Sequence, residues 1–253
     1  MQIGPRLRHF STEFMRASSI SELVDILQMA TLEIEYDSFS MVQHVNLRAS
    51  LENVVALSTH PSAWIKRFIS RGYYRFDPVF VASHRYGAPF NWSIIPNVIP
   101  LTTRQKRVFL EARRFGIVDG LTVPLHMPGE KLAACTFATN RRKDAPVELL
   151  ATAHVMATFA YQAARILVQA APGKLSPAPL TDRQIDCVTL SAAGKTEWEV
   201  GKILSLAPGT VHYHITQAMR RYGVFNRQQL LFHALRDGLI SFSDIDAASG
   251  KDR

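Results

Sequence analysis

Two cysteines in 253 residues, Cys135 and Cys187, sit in separate apolar stretches. They fit reduced thiols in a cytosol better than a disulfide framework. No run of about 18 apolar residues occurs, so no helix is expected to span a membrane. The opening residues, MQIGPRLRHFSTEF, lack the apolar core and small-residue cleavage site of a secretion signal. A cytoplasmic protein with no membrane contact is the expectation. Low-complexity tracts and internal repeats are missing, so disorder is expected only at the ends, such as the tail after Ser241. Catalytic signatures are missing as well. There is no G-x-S-x-G elbow and no H-x-H-x-D string, and the nine histidines are scattered. A lactone or amide hydrolase would need a metal cluster or an activated nucleophile. The chain is therefore read as a non-enzyme with no metal or cofactor. The first fifty residues contain no adjacent acidic pair, and no five-fold βα alternation follows, which excludes a phosphate-accepting receiver domain.

What is present is a globular composition, 47% apolar and 20% charged, with a net charge of +8. A basic chain suggests a polyanionic partner, but the location of the charge matters more than the sum. From Leu180 onward, nine Lys/Arg face eight Asp/Glu, so the excess lies in the N-terminal part. The stretch QAAPGKLSPAP, residues 169–179, carries three prolines and a glycine between two patterned regions. It reads as an interdomain linker, with a surface loop inside one domain as the alternative. The organisation is thus a domain over 1–168, a linker over 169–179 and a second domain over 180–245.

The first region mixes periods. SISELVDILQMATLEIEY is helical, with Leu23, Ile26, Leu27 and Ala30 on one face. SFSMVQHVNL and NVVALST alternate like strands. AWIKRFISRG and TTRQKRVFLEARRFG read as helices stopped by Gly72 and Gly116, and DPVFVASHRYG opens with Asp then Pro, as a helix start does. DGLTVPLHMPGEKLAACTFATN reads as a β-hairpin turning at residues 127–130, and PVELLATAHVMATFAYQAARILVQ as one long helix. This argues an α/β sandwich, an antiparallel sheet between helix layers. The long helix is apolar nearly all round, which suits either a dimer surface or packing within the domain.

The second region carries four short helical patterns. The first spans 182–192 with Thr181 as cap, and the second follows Thr196 with Val200, Ile203 and Leu204 inward. After the turn SLAPGT, TVHYHITQAMRRYG turns Val211, Ile215 and Met219 inward, and NRQQLLFHALRDG forms the fourth. Short helix, tight turn and longer helix make a helix-turn-helix, whose second helix enters the major groove of double-stranded DNA. Thr210, His212, Tyr213, Thr216 and Gln217 are then candidates for base edges. Lys202, Arg220, Arg221 and Arg227 are candidates for phosphates, which position without reading sequence. A helical dimerisation or peptide-binding bundle is the competing reading. Through Leu180, Thr181, Arg183, Val188, Gly194, Lys195, Thr210, Val211, His214 and Gly238, the segment resembles the LuxR-type DNA-binding domain. Two departures stand out. Gln184 replaces the usual Glu after LTxR, and His212 and Thr216 stand where relatives often carry Lys or Arg.

The stretch HPSAWIKRFISRGYYRFDPVFVASHRYGAPFNW places one carboxylate, Asp77, between Trp64 and Trp92. A buried carboxylate needs a partner that repays its desolvation. Trp64, Asp77, Pro78, Trp92 and Gly120 stand in the order and spacing of the acyl-homoserine-lactone-binding domain, which this region resembles from about Val24 to Leu167. The resemblance implies an N-acyl-homoserine lactone in an apolar pocket. Trp64 suits the lactone carbonyl, since an indole N–H only donates, and an ionised Asp77, which only accepts, suits the amide N–H. Asp77 before Pro is also an ordinary helix cap. Trp92 walls the lactone end, and Phe68, Tyr73, Tyr74 and Phe90 are candidates for the apolar wall. Gly116 and Gly120 read as backbone requirements. His60 replaces the family tyrosine that bonds the acyl carbonyl, and Phe68 replaces a second tyrosine; Thr136 is the residue that compensates.

Together the two resemblances imply a quorum-sensing regulator that takes an N-acyl-homoserine lactone, and the departures at His60 and Phe68 point to a branched or aromatic acyl group. It binds an inverted-repeat operator as a homodimer. The alternative left open is an orphan regulator that answers a non-lactone compound or works without ligand.

Overall fold

The computed structural model describes residues 3–48, 54–127, 131–169 and 180–250. Residues 128–130 of the expected hairpin turn and residues 170–179 of the expected linker lie outside them. The chain divides into two compact units.

In the first unit α1 (Ile3–Arg16) and α2 (Ile20–Glu33) lead into β1 (Ser38–Gln43) and β2 (Ala56–Ser58). Then come α3 (Ser62–Ser70), α4 (Pro78–Ser83), β3 (Phe90–Asn91), α5 (Ile95–Val98) and α6 (Thr103–Arg113). The hairpin β4 (Asp119–Leu125) and β5 (Ala133–Thr139) and the long α7 (Val147–Gln169) complete it. The five strands form one antiparallel sheet in the order β2-β1-β5-β4-β3.

The two faces of this sheet differ, because alternate side chains of a strand point to opposite sides. Phe39, Met41, Leu57, Leu121, Val123, Cys135 and Phe137 meet α1, α2 and α7 in a core that also holds Phe14, Leu27, Met156 and Tyr161. The opposite positions are small or hydroxylic: Ser38, Ser40, Ser58, Gly120, Thr122, Ala134, Thr136 and Ala138. Helices α3 to α6 cover that side with two smaller apolar clusters, one around Trp64, Val108 and Ile117, the other around Val79, Phe90 and Ile95. Large residues close one face, and small ones leave room on the other.

The second unit contains α8 (Asp182–Ala192), α9 (Glu197–Leu204), α10 (Pro208–Tyr222) and α11 (Arg227–Arg236) around Cys187, Val188, Val200, Val211, Ile215, Ala218, Leu230 and Ala234. Gln184 completes a capping box with Thr181: its side chain accepts the Thr181 N–H at 3.0 Å. The replacement of Glu at that position thus keeps the helix start. Thr196 and Glu199 form the second box. Two sequence expectations are corrected. Ile203, which helical spacing turns inward, is 54% exposed, because the short α9 buries Val200 and Gly201 instead. The tail after Ser241 is not irregular: a box of Ser241 and Asp244 starts a fifth helix, α12 (Phe242–Ser249), which runs past residue 245.

Gly120 owes its identity to crowding. A Cβ there would lie 2.6 Å from the Phe137 carbonyl oxygen and 2.9 Å from the Trp92 ring. The substitution Gly120→Ala forces backbone or indole to move, and chemical denaturation of the variant is expected to show a loss of about 1–3 kcal/mol.

Candidate functional site

Between the small-residue face of the sheet and α3, α4 and α6 lies a cavity of about 300 Å³, within the lower range of small-molecule pockets. Its floor is Ser40, Val42, Ser58, Ala134 and Thr136, and its apolar walls include Phe68, Phe80, Val108, Phe109 and Ile117. His60, Trp64, Asp77 and Trp92 supply the remaining polar groups. Six residues marked in the sequence therefore meet in one space: His60, Trp64, Phe68, Asp77, Trp92 and Thr136.

Tyr73, Tyr74 and Phe90 are not among the lining residues and stand behind it. Tyr73 packs its ring 6.0 Å from Trp64 and 6.2 Å from Phe68, while its hydroxyl turns to Glu111. Glu111 in turn holds Arg67 at 2.8 Å. Tyr74 gives its hydroxyl to Asn46 at 2.6 Å. Phe90 is buried in the cluster with Val79 and Ile95, and its strand pairs with Thr122. The aromatic pattern around the cavity mixes one shell with the next, because sequence spacing does not separate a wall from its support.

Asp77 caps α4: its Oδ1 accepts the Val79 N–H at 2.8 Å. Burial pushes its carboxyl up to about 7, against the opposing pull of the Val79 and Phe80 N–H groups. Among the described residues, no cation contributes to that balance. Both readings of this residue, cap and cavity group, are thus met by one side chain. The indole N–H of Trp64 has no hydrogen-bond partner among the described residues. Trp92 differs: its N–H donates to Thr122 Oγ1 at 3.0 Å, and Thr122 meets Thr136 at 3.0 Å. With its N–H used within the chain, Trp92 is a wall.

His60 replaces a phenol with a shorter polar arm. Its Nδ1 lies 2.8 Å from Ser38 Oγ, and loss of solvent pushes the ring down to about 4, so it is neutral near pH 7. Its Nε2 is unpartnered among the described residues. Ser38, Ser40, Ser58 and Phe80 escaped the sequence reading, although the strand alternation SFS places Ser38 and Ser40 on one face.

On the second unit Thr210, His212, Tyr213, Arg220 and Arg221 are exposed on α10, and Thr216 and Gln217 are partly buried. Lys202 extends over the Trp198 ring at 4.6 Å. Arg227 is drawn to Glu197, and the same carboxylate oxygen takes His212 Nδ1 at 3.0 Å. Arg227, a candidate for phosphate contact, thus carries an ion pair within the unit. Among the described residues no helix is long and apolar enough to cross a membrane.

Residues 19–164 match the autoinducer binding domain, and residues 178–234 match the bacterial regulatory proteins of the luxR family. The chain is 32% identical over 182 residues to a putative HTH-type transcriptional regulator, y4qH, of Sinorhizobium fredii, covering 72% of this chain but only 55% of that protein. It is 28% identical to the HTH-type quorum sensing-dependent transcriptional regulator RpaR of Rhodopseudomonas palustris, covering 81% of this chain and 83% of the relative. A solved structure of SdiA in complex with octanoyl-rac-glycerol superposes with a TM-score of 0.69 at 20% identity, over 95% of this chain and 98% of that one.

The raised Asp77 value fixes a sign. The folded domain holds this proton up to about pH 7, whereas an unfolded chain loses it near the ordinary value of about 3.9. The group's contribution to stability is full at low pH and is lost as pH rises through about 7. His60, depressed to about 4, acts oppositely: its contribution is present above about 6.5 and lost as pH falls through about 4. Asp77→Asn keeps a capping oxygen and removes the titration. Compared with the native chain without ligand, it is expected to gain relative stability between pH 5 and 8, on the order of a few kcal/mol at the upper end. Thermal unfolding across that range measures it.

Proposed function

The chain belongs to the LuxR family of quorum-sensing transcriptional regulators, with an autoinducer-binding and a DNA-binding domain, and we propose that its cavity takes an N-acyl-homoserine lactone. Members of this family regulate transcription and are not enzymes. The carrying observation is the pairing, in one cavity, of a donor without an acceptor and an acceptor without a countercharge. Trp64 N–H meets the lactone carbonyl. Asp77, ionised, accepts the amide N–H in a charge-assisted bond, about twice as strong as a neutral one. His60 Nε2 and Thr136 lie on the floor side for the acyl carbonyl. The rings of Phe68, Phe80 and Phe109 surround a compact acyl group, branched or aromatic.

Binding then stabilises the sensor fold by mass action. In the cytoplasm two ligand-loaded copies associate, with the exposed Phe159 and Ile166 of α7 supporting that helix as the shared surface. Two α10 helices then address half-sites of an inverted repeat about one DNA turn apart.

A second reading has its own support. His60 stands in place of the family tyrosine, and the SdiA structure carries an acylglycerol, which has no amide N–H. A hydroxyl-bearing amphiphile would then donate to Asp77.

Thermal-shift titration of the full chain with short, long, branched and aromatic acyl-homoserine lactones, and with an acylglycerol, tests both. The largest rise in melting temperature is expected from a branched or aromatic lactone. A preference for long straight chains overturns the acyl assignment, and a response only to the acylglycerol favours the second reading. Trp64→Phe, which keeps the ring and deletes the N–H, is expected to weaken lactone binding by up to about tenfold.

A further inference from the structure

The Glu197–His212 contact joins the first helix of the helix-turn-helix to the second. Glu197 opens α9, where the helix dipole favours a carboxylate. Its Oε1 receives the Arg227 guanidinium from α11 and lies 3.0 Å from His212 Nδ1 on the exposed side of α10. An ionised carboxylate only accepts hydrogen bonds. The proton of a neutral His212 ring is therefore held on Nδ1, and Nε2 is left with a bare lone pair. The side chain is 64% exposed, against 29% for Glu197, so Nε2 is the part of the ring open to a groove.

In the major groove cytosine offers N4–H2 and adenine N6–H2 as donors, whereas guanine O6 and N7 and thymine O4 accept. A ring locked as an acceptor pairs with the first two and repels the last two. We propose that Glu197 is a positioning residue for sequence reading: it fixes the His212 tautomer, so that one position in each half-site selects cytosine or adenine and disfavours guanine and thymine. This rests on the reading of α10 as the DNA-facing helix. A Lys or Arg at position 212 would grip an acceptor, whereas this His seeks a donor, and Arg227 is committed to keeping Glu197 in place.

The test is selection from a randomised duplex library by the full chain, at about pH 8.5. The lactone panel is present throughout. Four proteins are compared: native, Glu197→Ala, Glu197→Gln and His212→Ala. The native chain is expected to enrich cytosine or adenine at one position per half-site, by about fivefold over guanine and thymine, the worth of one net hydrogen bond. In Glu197→Ala the ring is free to carry its proton on Nε2, so guanine and thymine rise at that position while the rest of the motif stays. Glu197→Gln, whose amide oxygen still accepts from Nδ1–H, retains most of the preference. His212→Ala erases it at the same position.

A general loss of helix stability would lower binding to all sequences and would not move one base preference. An unchanged motif in Glu197→Ala overturns the proposal. So does a His212→Ala chain that binds every sequence equally more weakly, since that is the mark of a phosphate contact. Should the native chain enrich no sequence at all, the DNA-facing role of α10 falls with it.

Discussion

A carboxylate in an apolar wall is the constraint around which the sensor domain is arranged. Asp77 starts α4 and borders the cavity, so the carboxylate that sets the local fold is also a polar group of the cavity lining. Two backbone N–H groups are not enough to hold it ionised, since burial still raises its carboxyl to about 7. An ion pair with arginine would settle the charge and close the site. Such a pair exists one layer out, where Glu111 holds Arg67 and Arg107 and braces Tyr73 behind Trp64. Glu111, outside the cavity, is paired with arginine, whereas Asp77, which borders the cavity, accepts only from backbone N–H groups among the described residues.

The sheet makes this arrangement possible by being unequal on its two faces. Phe39, Met41, Leu121 and Phe137 fill the side toward α1, α2 and α7, which gives the domain a core independent of the cavity. Serine, threonine, alanine and glycine on the other side leave volume, and Gly120 lets the Trp92 ring approach the strand closely. Thr122 then takes the Trp92 N–H and links it to Thr136, so that wall and floor are one hydrogen-bonded unit. The core toward α1, α2 and α7 is thus built without the cavity residues.

Much of this was legible in the residues. Strand alternation, the Asp-Pro helix start and the four helices of the DNA-binding module follow from local chemistry, and each appears where its pattern lies. The gathering of His60, Trp64, Asp77, Trp92 and Thr136 was legible through family spacing. Other features were not, for identifiable reasons. The helix α1 has a polar, basic sequence with little but Phe10 and Phe14 to mark its inner face. Ile203 looks like a core residue by period, yet α9 is too short to bury both its faces. Tyr73 and Phe90 are aromatic like the true wall, and only packing places them behind it. The Ser38–His60 bond and the Glu197 cluster join residues far apart in sequence, which no local pattern reports.

The account turns on the ligand drawing Asp77 into its ionised form. Calorimetric titration of the stabilising lactone at pH 7, repeated in buffers of different ionisation enthalpy, counts the protons exchanged on binding. With the Asp77 carboxyl near 7 in the folded domain, about half a proton should be released per ligand by the native chain and none by Asp77→Asn. Identical heats in every buffer for the native chain would contradict it.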